Sequence, residues 1–239
     1  MIIRSTLRTQ SVIVPCRGHA KFLSETLDSL RSQWKTLDQI IIVCDDDSKS
    51  EKVALSFIEE QPKSLTRYTV VQLEDHSGVY SALNVGLRFN ESDIISFCGS
   101  DDLWEPTRSR DIMRCFHDWK VVANTYHQKI SESGARLKRS VEPLGGAFSY
   151  SRRMMEDLGH FRQWPCSADS DMFYRSLSVG AHKSIYRAYT YLYRQHGNQL
   201  THRSETAFGS ETRDMYQSMW HDGTKFHEAE LVKYKEVHR

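Results

Sequence analysis

Residues 39–48 read QIIIVCDDDS, an apolar run that stops abruptly at three consecutive aspartates. The run is too short for a helix and too uniform for a strand with one face in water, so it predicts a strand that is buried on both faces. Residues 11–16, 68–73 and 93–98 form three similar runs, and apolar residues at helical spacing occupy the intervals between them. This alternation predicts a doubly wound, mostly parallel α/β sheet with right-handed crossovers.

The pattern loosens after residue 106, but further elements are predicted there. Strands are expected over 121–124 and 186–194, a hairpin tip over 131–139, and helices near 111–119, 152–158 and 169–179. The last thirty or so residues indicate an amphipathic helix. Since the sequence has no internal repeat and no low-complexity linker, a single compact domain is favoured.

Composition narrows the class of protein. The 239 residues are 39% hydrophobic and 26% charged, as in an ordinary globular protein. The formal net charge of +1 gives no global footprint for nucleic acid. Apolar stretches are too short to cross a bilayer, and the five cysteines contain no CxxC pair. We therefore expect a reduced, cytoplasmic protein without an integral membrane segment, whose membrane contact, if any, is peripheral.

Acidic residues follow two of the predicted strands. Asp45, Asp46 and Asp47 end the second strand, and Asp101 and Asp102 follow the fourth. Adjacent carboxylates repel each other, so a functional interpretation needs a counter-charge, and Mn²⁺ or Mg²⁺ supplies one. The alternative interpretation is an exposed acidic turn or the N-cap of a helix over residues 104–110. Two such clusters at neighbouring strand ends favour the metal, because ligands of doubly wound sheets bind beyond the carboxyl ends of the strands.

The order of several motifs resembles that of the family 2 glycosyltransferases. Ser11-Val-Ile-Val-Pro is similar to the first strand of that family, and Ile41-Ile-Val-Cys-Asp-Asp-Asp-Ser to its second. Residues 78–87 resemble the G-x-x-x-A-x-N-x-G element, and residues 94–102 the strand and D-x-D loop. Gly145-Gly-Ala and residues 168–171 are similar to the acceptor-side glycine segment and the E-D motif. The resemblance therefore covers most of the chain.

The resemblance implies an inverting GT-A enzyme that uses a nucleotide-sugar donor, with UDP as the usual nucleotide. A single Rossmann-like domain over residues 1–204 would comprise a donor half (1–105) and an acceptor half (106–204), followed by a C-terminal helical extension (205–239). The acceptor would be a glycan or a lipid-linked glycan, in polysaccharide synthesis.

Site roles also follow from the resemblance. Asp169 would be the general base and Asp101 a metal ligand. The nucleotide-sugar would contact eight residues, of which Asp45 or Asp46 would accept a hydrogen bond from the base: Pro15, Cys16, Arg17, Asp45, Asp46, Asn84, Ser100 and Asp102.

The sequence departs from the family pattern at two positions. The first aspartate of D-x-D is Gly99, which leaves the usual ribose contact without its residue, and the glutamate before Asp169 is Ala168. The assignment of the base to Asp169 rather than Asp171 follows motif position only.

Some residues remain open between a functional and a packing role. His196 follows a strand-like run and would complete the metal shell, although a lone histidine is more often a surface or core residue. Trp104 and Trp164 flank the expected cleft, where they would stack on a sugar or simply pack.

Other functions are compatible with the same elements. A nucleotide-sugar-binding protein without turnover would keep the fold, and a metal-dependent nucleotidyltransferase would share the paired carboxylates. The nucleotidyltransferase would need a glycine-rich phosphate loop, whereas residues 15–19 contain one glycine. Transfer to modified nucleic acid is disfavoured by the near-zero net charge.

Overall fold

The computed structural model describes residues 9–61, 64–197, 199–220 and 234–238. The strands are β1 (Gln10–Cys16), β2 (Gln39–Asp45), β3 (Arg67–Leu73), β4 (Ile94–Phe97), β5 (Leu103–Trp104), β6 (Val121–Ile130), β7 (Arg136–Ser140), β8 (Ser149–Ser151), β9 (His182–Arg194) and β10 (Tyr234–His238). The helices are α1 (Ala20–Arg31), α2 (Ser48–Glu59), α3 (Val79–Arg88), α4 (Arg108–Cys115), α5 (Arg152–Leu158), α6 (Ala168–Ser178) and α7 (Glu211–Gln217).

All ten strands belong to one sheet, in the order β10-β3-β2-β1-β4-β8-β6-β9-β5, with β7 paired to β6. The stretch β3-β2-β1-β4 is parallel, and its register aligns Cys16 with Cys44 and Ile13 with Phe97. Chain order reverses between β1 and β4, which makes the carboxyl ends of these strands the topological switch point of the sheet. The later half is mixed, because β8 is antiparallel to both β4 and β6 while β9 is parallel to β6.

The parallel strands are buried on both faces, as their uniform apolar sequence predicts. Ile13 and Ile41 pack in one cluster with α3, α5 and α6, whereas Val12 and Ile40 pack in another with α1 and α2. Successive side chains of a strand point to opposite faces, so each face of the sheet is covered by its own helices. The mixed α/β class with a mostly parallel central sheet is therefore confirmed.

Gly86 allows α3 to approach β1 closely. A Cβ atom built at Gly86 would lie 2.5 Å from Cγ2 of Ile13, a distance that real Cβ atoms do not show. Any side chain at Gly86 would push α3 away from the sheet, because a packed interior has no space to absorb it. This helix carries Tyr80, whose hydroxyl reaches the functional site.

Most predicted elements of the first hundred residues are present within a few residues of their expected bounds. Residues 106–204 differ more: α4 begins at Arg108, three residues before its predicted start, and β6 continues to Ile130. The short strands β5 and β8 were not predicted, because two or three residues are too few to show a period.

The C-terminal helix prediction is met over Glu211–Gln217, which form α7. Residues 221–233 lie outside the described part of the chain. Tyr234–His238 were predicted to be helical and instead form β10, antiparallel to β3 at the sheet edge. Tyr234 packs against Phe89, with ring centroids 5.5 Å apart, and this contact holds the strand in place. Helical periodicity in the sequence does not report such a contact. In the described residues, no helix is long and apolar enough to cross a bilayer.

Candidate functional site

Two adjoining cavities open at the carboxyl ends of β1 and β4. The first, of about 600 Å³, is lined by the ends of β1 and β2, the turn before α3, the loop after β4 and residues 199–206. The second, of about 390 Å³, lies toward the Gly145–Gly146 segment and the start of α6. Pro15, Gly99 and Tyr193 line both cavities. The cavities therefore share a wall at the switch point.

Asp101 lies between two imidazoles at the first cavity. Its Oδ2 atom is 2.7 Å from Nε2 of His196 and 3.8 Å from Nδ1 of His19. One ligand atom from each of the three residues lies within 4.8 Å of the others. Such spacing fits a divalent cation with two nitrogen ligands and one carboxylate, leaving further positions for oxygen ligands. The structure thus brings together the two predicted metal ligands, Asp101 and His196.

His19 is the third member of this cluster, and sequence analysis missed it. It precedes α1 and follows Gly18 in a loop with no metal-binding spacing. Burial lowers the pKa of His19 below its usual value, against the opposing influence of Asp101. The ring is consequently neutral at neutral pH, which is the protonation state that binds metal.

Asp102 is buried and bound by groups of β9. Its carboxylate accepts hydrogen bonds from the Tyr191 hydroxyl at 2.7 Å and from the main-chain N–H of Arg194 at 2.9 Å. Burial and the neighbouring Asp101 charge raise the pKa of Asp102 well above its ordinary value. Asp102 lines the second cavity and does not belong to the cluster of His19, Asp101 and His196.

Arg194 fixes the loop that carries both aspartates. Its Nε donates to the Asp101 carbonyl at 2.7 Å, and its Nη2 contacts Glu25 at 2.6 Å. The guanidinium also lies 4.7 Å from the centre of the Phe22 ring. Because only 1% of Arg194 is exposed, these contacts hold the aspartate loop against α1 in a defined position.

The ends of β1 and β2 form the outer wall of the first cavity. Pro15, Cys16, Arg17 and Asp45 line it, and Arg17 donates to the Asp45 carbonyl at 2.7 Å. The Asp45 carboxylate is buried and accepts from His76 and from the main-chain N–H groups of residues 77 and 78. The Asp46 carboxylate is exposed, 3.5 Å from Arg17. Asp46 consequently has more free acceptor capacity than Asp45.

Asp47 has a structural role that was not predicted. It caps α2 by accepting from the N–H of Ser50 at 3.1 Å, and it also accepts from Gly18 N–H at 2.8 Å. Burial alone would raise the pKa of Asp47, but hydrogen bonds from Ser50 and Gly18 outweigh burial and lower it. This cap links the ends of β1 and β2.

Asp169 and Asp171 have different surroundings. Asp169 lines the second cavity and accepts a 2.8 Å hydrogen bond from Tyr80, whose pKa is raised by burial and by the Asp169 charge. Asp171 is fully buried and bound by Arg175 at 2.8 Å and by Arg162 at 3.3 Å. Asp169 therefore faces a cavity, whereas Asp171 anchors α6.

The remaining predicted residues divide between cavity and core. Ser100 lines the first cavity, 3.2 Å from the His19 ring, and Trp164 lines it from the opposite wall. Asn84 is fully buried, and its amide is paired at 2.8 Å with both main-chain groups of Phe161, so it joins α3 to the segment before α6 instead of facing either cavity. Trp104 is a core residue beside Arg108.

The fold resembles those of solved GT-A glycosyltransferases. A Staphylococcus aureus TarS structure in complex with UDP-GlcNAc matches with a TM-score of 0.66 at 18% identity, over 80% of this chain and 60% of that one. A Pyrobaculum calidifontis mannosyltransferase, PcManGT, in complex with GDP-Man and Mn²⁺, matches with a TM-score of 0.64 at 18% identity, over 78% and 57%. The strand order of the sheet and these matches show that the chain has a GT-A fold.

The family is shown by the sequence match to Glycosyl transferase family 2, which spans residues 11–176. The chain belongs to this family. An uncharacterized glycosyltransferase of Nostoc sp. is 23% identical over 82% of this chain and 68% of its own length. The S. aureus poly(ribitol-phosphate) beta-N-acetylglucosaminyltransferase TarP is 31% identical over 44% and 32%, respectively. This chain thus spans less than two thirds of several relatives.

Proposed function

We propose that this chain transfers a sugar from a nucleoside diphosphate, UDP in the first instance, to an acceptor hydroxyl with inversion of the anomeric centre. One observation carries the proposal: Asp101 lies between two imidazoles at one cavity, and Asp169 lines the adjoining cavity across a shared wall. A diphosphate held on one side and an acceptor on the other would meet at Gly99 and Tyr193.

The residues fit a divalent metal. His19, Asp101 and His196 would hold Mn²⁺ or Mg²⁺, since two imidazoles and a carboxylate form an accepted ligand set. When bound, the ion stabilises negative charge on a diphosphate leaving group. The Mn²⁺ complex of PcManGT supports a metal in a protein of this fold.

The nucleoside would occupy the outer wall of the first cavity. Pro15, Cys16 and Arg17 offer a surface there, and Asp46 or Asp45 would accept a hydrogen bond from the base. Ser100 and Asp102 are proposed to contact ribose or donor-sugar hydroxyls. The UDP-GlcNAc complex of TarS supports UDP as the first nucleotide to test.

Asp169 would act as the general base. Its carboxylate takes the proton of the acceptor hydroxyl as that oxygen bonds to the anomeric carbon, and the electron pair of the breaking bond leaves with the diphosphate. Tyr80 donates to Oδ1 of Asp169, which orients the carboxylate and leaves Oδ2 for the acceptor. Attack from the face opposite the diphosphate inverts the anomeric centre.

The acceptor is proposed to be a surface glycan or a lipid-linked glycan. Bacillus subtilis GgaB, described as a minor teichoic acid biosynthesis protein, is 29% identical over 46% of this chain, and TarP acts on poly(ribitol-phosphate) by its name. Polymer synthesis at a cell surface is therefore the acceptor chemistry to screen first.

A donor panel tests this proposal. With Mn²⁺ and UDP-sugars, wild-type protein should release UDP, and NMR of the product should show the inverted anomer. Asp169→Asn should lower kcat by about 10²–10⁴-fold while UDP affinity is kept. Asp118→Asn, an exposed carboxyl change, is the matched control and should act like wild type. UDP binding without turnover of any donor would favour a binding protein instead.

A further inference from the structure

Arg108 is a buried cation whose hydrogen bonds, among the described residues, all end on neutral oxygens. It is fully buried at the start of α4 and donates to Thr125 Oγ1, to Asn124 Oδ1 at 3.1 Å and to the Ala147 carbonyl at 2.9 Å. Burial lowers the pKa of Arg108 to about 10, so the guanidinium remains charged at neutral pH. Burying a charge in this way is costly, which calls for a reason.

The guanidinium of Arg108 is connected to the Gly99–Asp102 loop through aromatic stacking. Its carbon lies 4.8 Å from the centre of the Tyr191 ring and 4.9 Å from that of Trp104. Stacking on a cation fixes the Tyr191 ring, whose hydroxyl donates to Asp102 at 2.7 Å and accepts from Gly99 N–H at 3.3 Å. The orientation of the Gly99–Asp102 loop thus depends on Arg108.

Hydrogen bonds from the edge of the guanidinium lead to the turn that packs on Asp169. Arg108 binds the Ala147 carbonyl directly, and Asn124, which it also binds, donates to the Leu144 carbonyl at 3.0 Å. These two carbonyls flank Gly145 and Gly146. Gly145 packs so closely on Asp169 that an added Cβ atom would lie 2.8 Å from its Oδ2. The position of Asp169 relative to its surroundings therefore also depends on Arg108.

We propose that Arg108 is a positioning residue that sets the spacing between the Asp101–Asp102 loop and the Asp169 carboxylate without touching either substrate. Its consequence for turnover rests on the proposed function. A planar guanidinium suits this task, because it donates hydrogen bonds from its edge while its faces stack on aromatic rings, which a lysine cannot do. A small shift between reacting groups is enough to slow a positioned reaction strongly.

A double-mutant cycle tests whether the link from Arg108 to Asp102 and the link from Arg108 to the Leu144 carbonyl are coupled. Tyr191→Phe removes the hydroxyl that holds Asp102, and Asn124→Ala removes the side chain that links Arg108 to the Leu144 carbonyl. Each should lower kcat by about tenfold, and together by about 10–30-fold instead of the roughly 100-fold expected of independent sites. In an Arg108→Gln background, each change should cost less than about threefold. The proposal would be overturned if the two losses of kcat multiply both in wild-type protein and in the Arg108→Gln background.

The variant Thr125→Val separates a positioning role of Arg108 from a role in stability. Thr125→Val removes another hydrogen bond of the same guanidinium, on the side facing Thr190. It should lower the melting temperature but change kcat by less than about threefold. Loss of kcat in Thr125→Val that matches the loss of stability would mean that Arg108 only supports the fold.

Hydrogen exchange decides the proposal even if no donor turns over. Arg108→Gln should speed amide exchange by at least about fivefold in both segments, residues 99–102 and 145–148, while α1 is unchanged. Faster exchange in only one segment, or an equal rise throughout the protein, contradicts the coupling. Absence of turnover in wild-type protein would count against the proposed function alone.

Discussion

Nε2 of His196 lies 2.7 Å from Oδ2 of Asp101, although the two residues are 95 positions apart in the chain. Asp101 follows the parallel strand β4, and His196 follows β9 in the mixed half of the sheet. His19, from the loop before α1, completes the cluster. The candidate metal site is therefore built from residues of both halves of the sheet. It depends on the fold more than on any local motif.

The ligand set predicts a preference among metals. Two imidazole nitrogens favour Mn²⁺ and Co²⁺ over Mg²⁺, which prefers oxygen ligands. In the presence of UDP, wild-type protein should bind Mn²⁺ at least about tenfold more tightly than Mg²⁺. His19→Ala should weaken Mn²⁺ binding by about tenfold and reduce the difference between the two metals. Calorimetry and the visible spectrum of bound Co²⁺ measure both effects.

His117→Ala provides the control for this prediction. His117 is an exposed histidine beyond α4 and does not belong to the cluster. Its replacement should leave metal affinity unchanged. Equal affinities for Mn²⁺ and Mg²⁺ in wild-type protein, with no effect of His19→Ala, would remove His19 from the ligand set.

Adjacent glycines give a matched pair of variants at Asp169. A Cβ atom at Gly145 would lie 2.8 Å from Asp169 Oδ2, whereas one at Gly146 would lie 3.5 Å away, an ordinary contact. Gly145→Ala should displace the carboxylate and lower kcat by about 10²-fold. Gly146→Ala should stay within about threefold of wild type. Steady-state kinetics with similar melting temperatures check this; equal effects of both changes would mean that the position of Asp169 does not limit turnover.

Gly99 stands where the family motif has its first aspartate, and the structure explains why restoring that residue should fail. A Cβ atom there would lie 2.8 Å from Oδ1 of Asp101 and equally close to Oδ2 of Asp102. Gly99→Asp adds a third carboxylate to this pair, so Mn²⁺–UDP affinity should fall by at least about tenfold.

Gly197→Ala is the control for Gly99→Asp, because no atom lies within 4 Å of its added Cβ. Calorimetry on both variants should show a loss only at Gly99. Tighter binding of the nucleotide by Gly99→Asp would show instead that the site lacks, and can accept, the missing aspartate.

Asp102 gives a prediction about pH. Burial and the Asp101 charge raise its pKa in the folded protein, so ionisation of Asp102 destabilises the fold increasingly as pH rises above about 4, the ordinary value of the unfolded chain. Asp102→Asn cannot ionise. Without metal, the free energy of unfolding of this variant minus that of wild type should therefore increase with pH from about 4 to 8. Urea titrations at several pH values measure it, and a difference that falls with pH contradicts the burial of the charge.

Sequence patterns predicted the first hundred residues well, because fully buried parallel strands leave uninterrupted apolar runs such as residues 40–44. Of the acidic residues that follow those runs, Asp45 and Asp101 line the first cavity. Periodicity is weakest where elements are short, so β5 and β8 were not predicted. The strand Tyr234–His238 was taken for a helix because its edge pairing with β3 depends on a distant partner.

The roles of individual side chains depend on contacts that no spacing reports. His19 has no local signature, and its place beside Asp101 follows from the path of the loop after β1. Asn84 has the residue type that a binding cleft needs, yet its amide pairs with the main chain of Phe161. Arg108 looks like a surface residue of a polar helix, but it is buried between two aromatic rings.

The most direct test of the central claim is calorimetric titration of UDP into wild-type protein and Asp101→Ala, with and without Mn²⁺. We predict that UDP binds in the presence of Mn²⁺ and at least about tenfold more weakly without it, and that Asp101→Ala, still folded, loses the metal-dependent part. UDP affinity that is the same with and without Mn²⁺, or unchanged in Asp101→Ala, would contradict the metal-dependent nucleotide site.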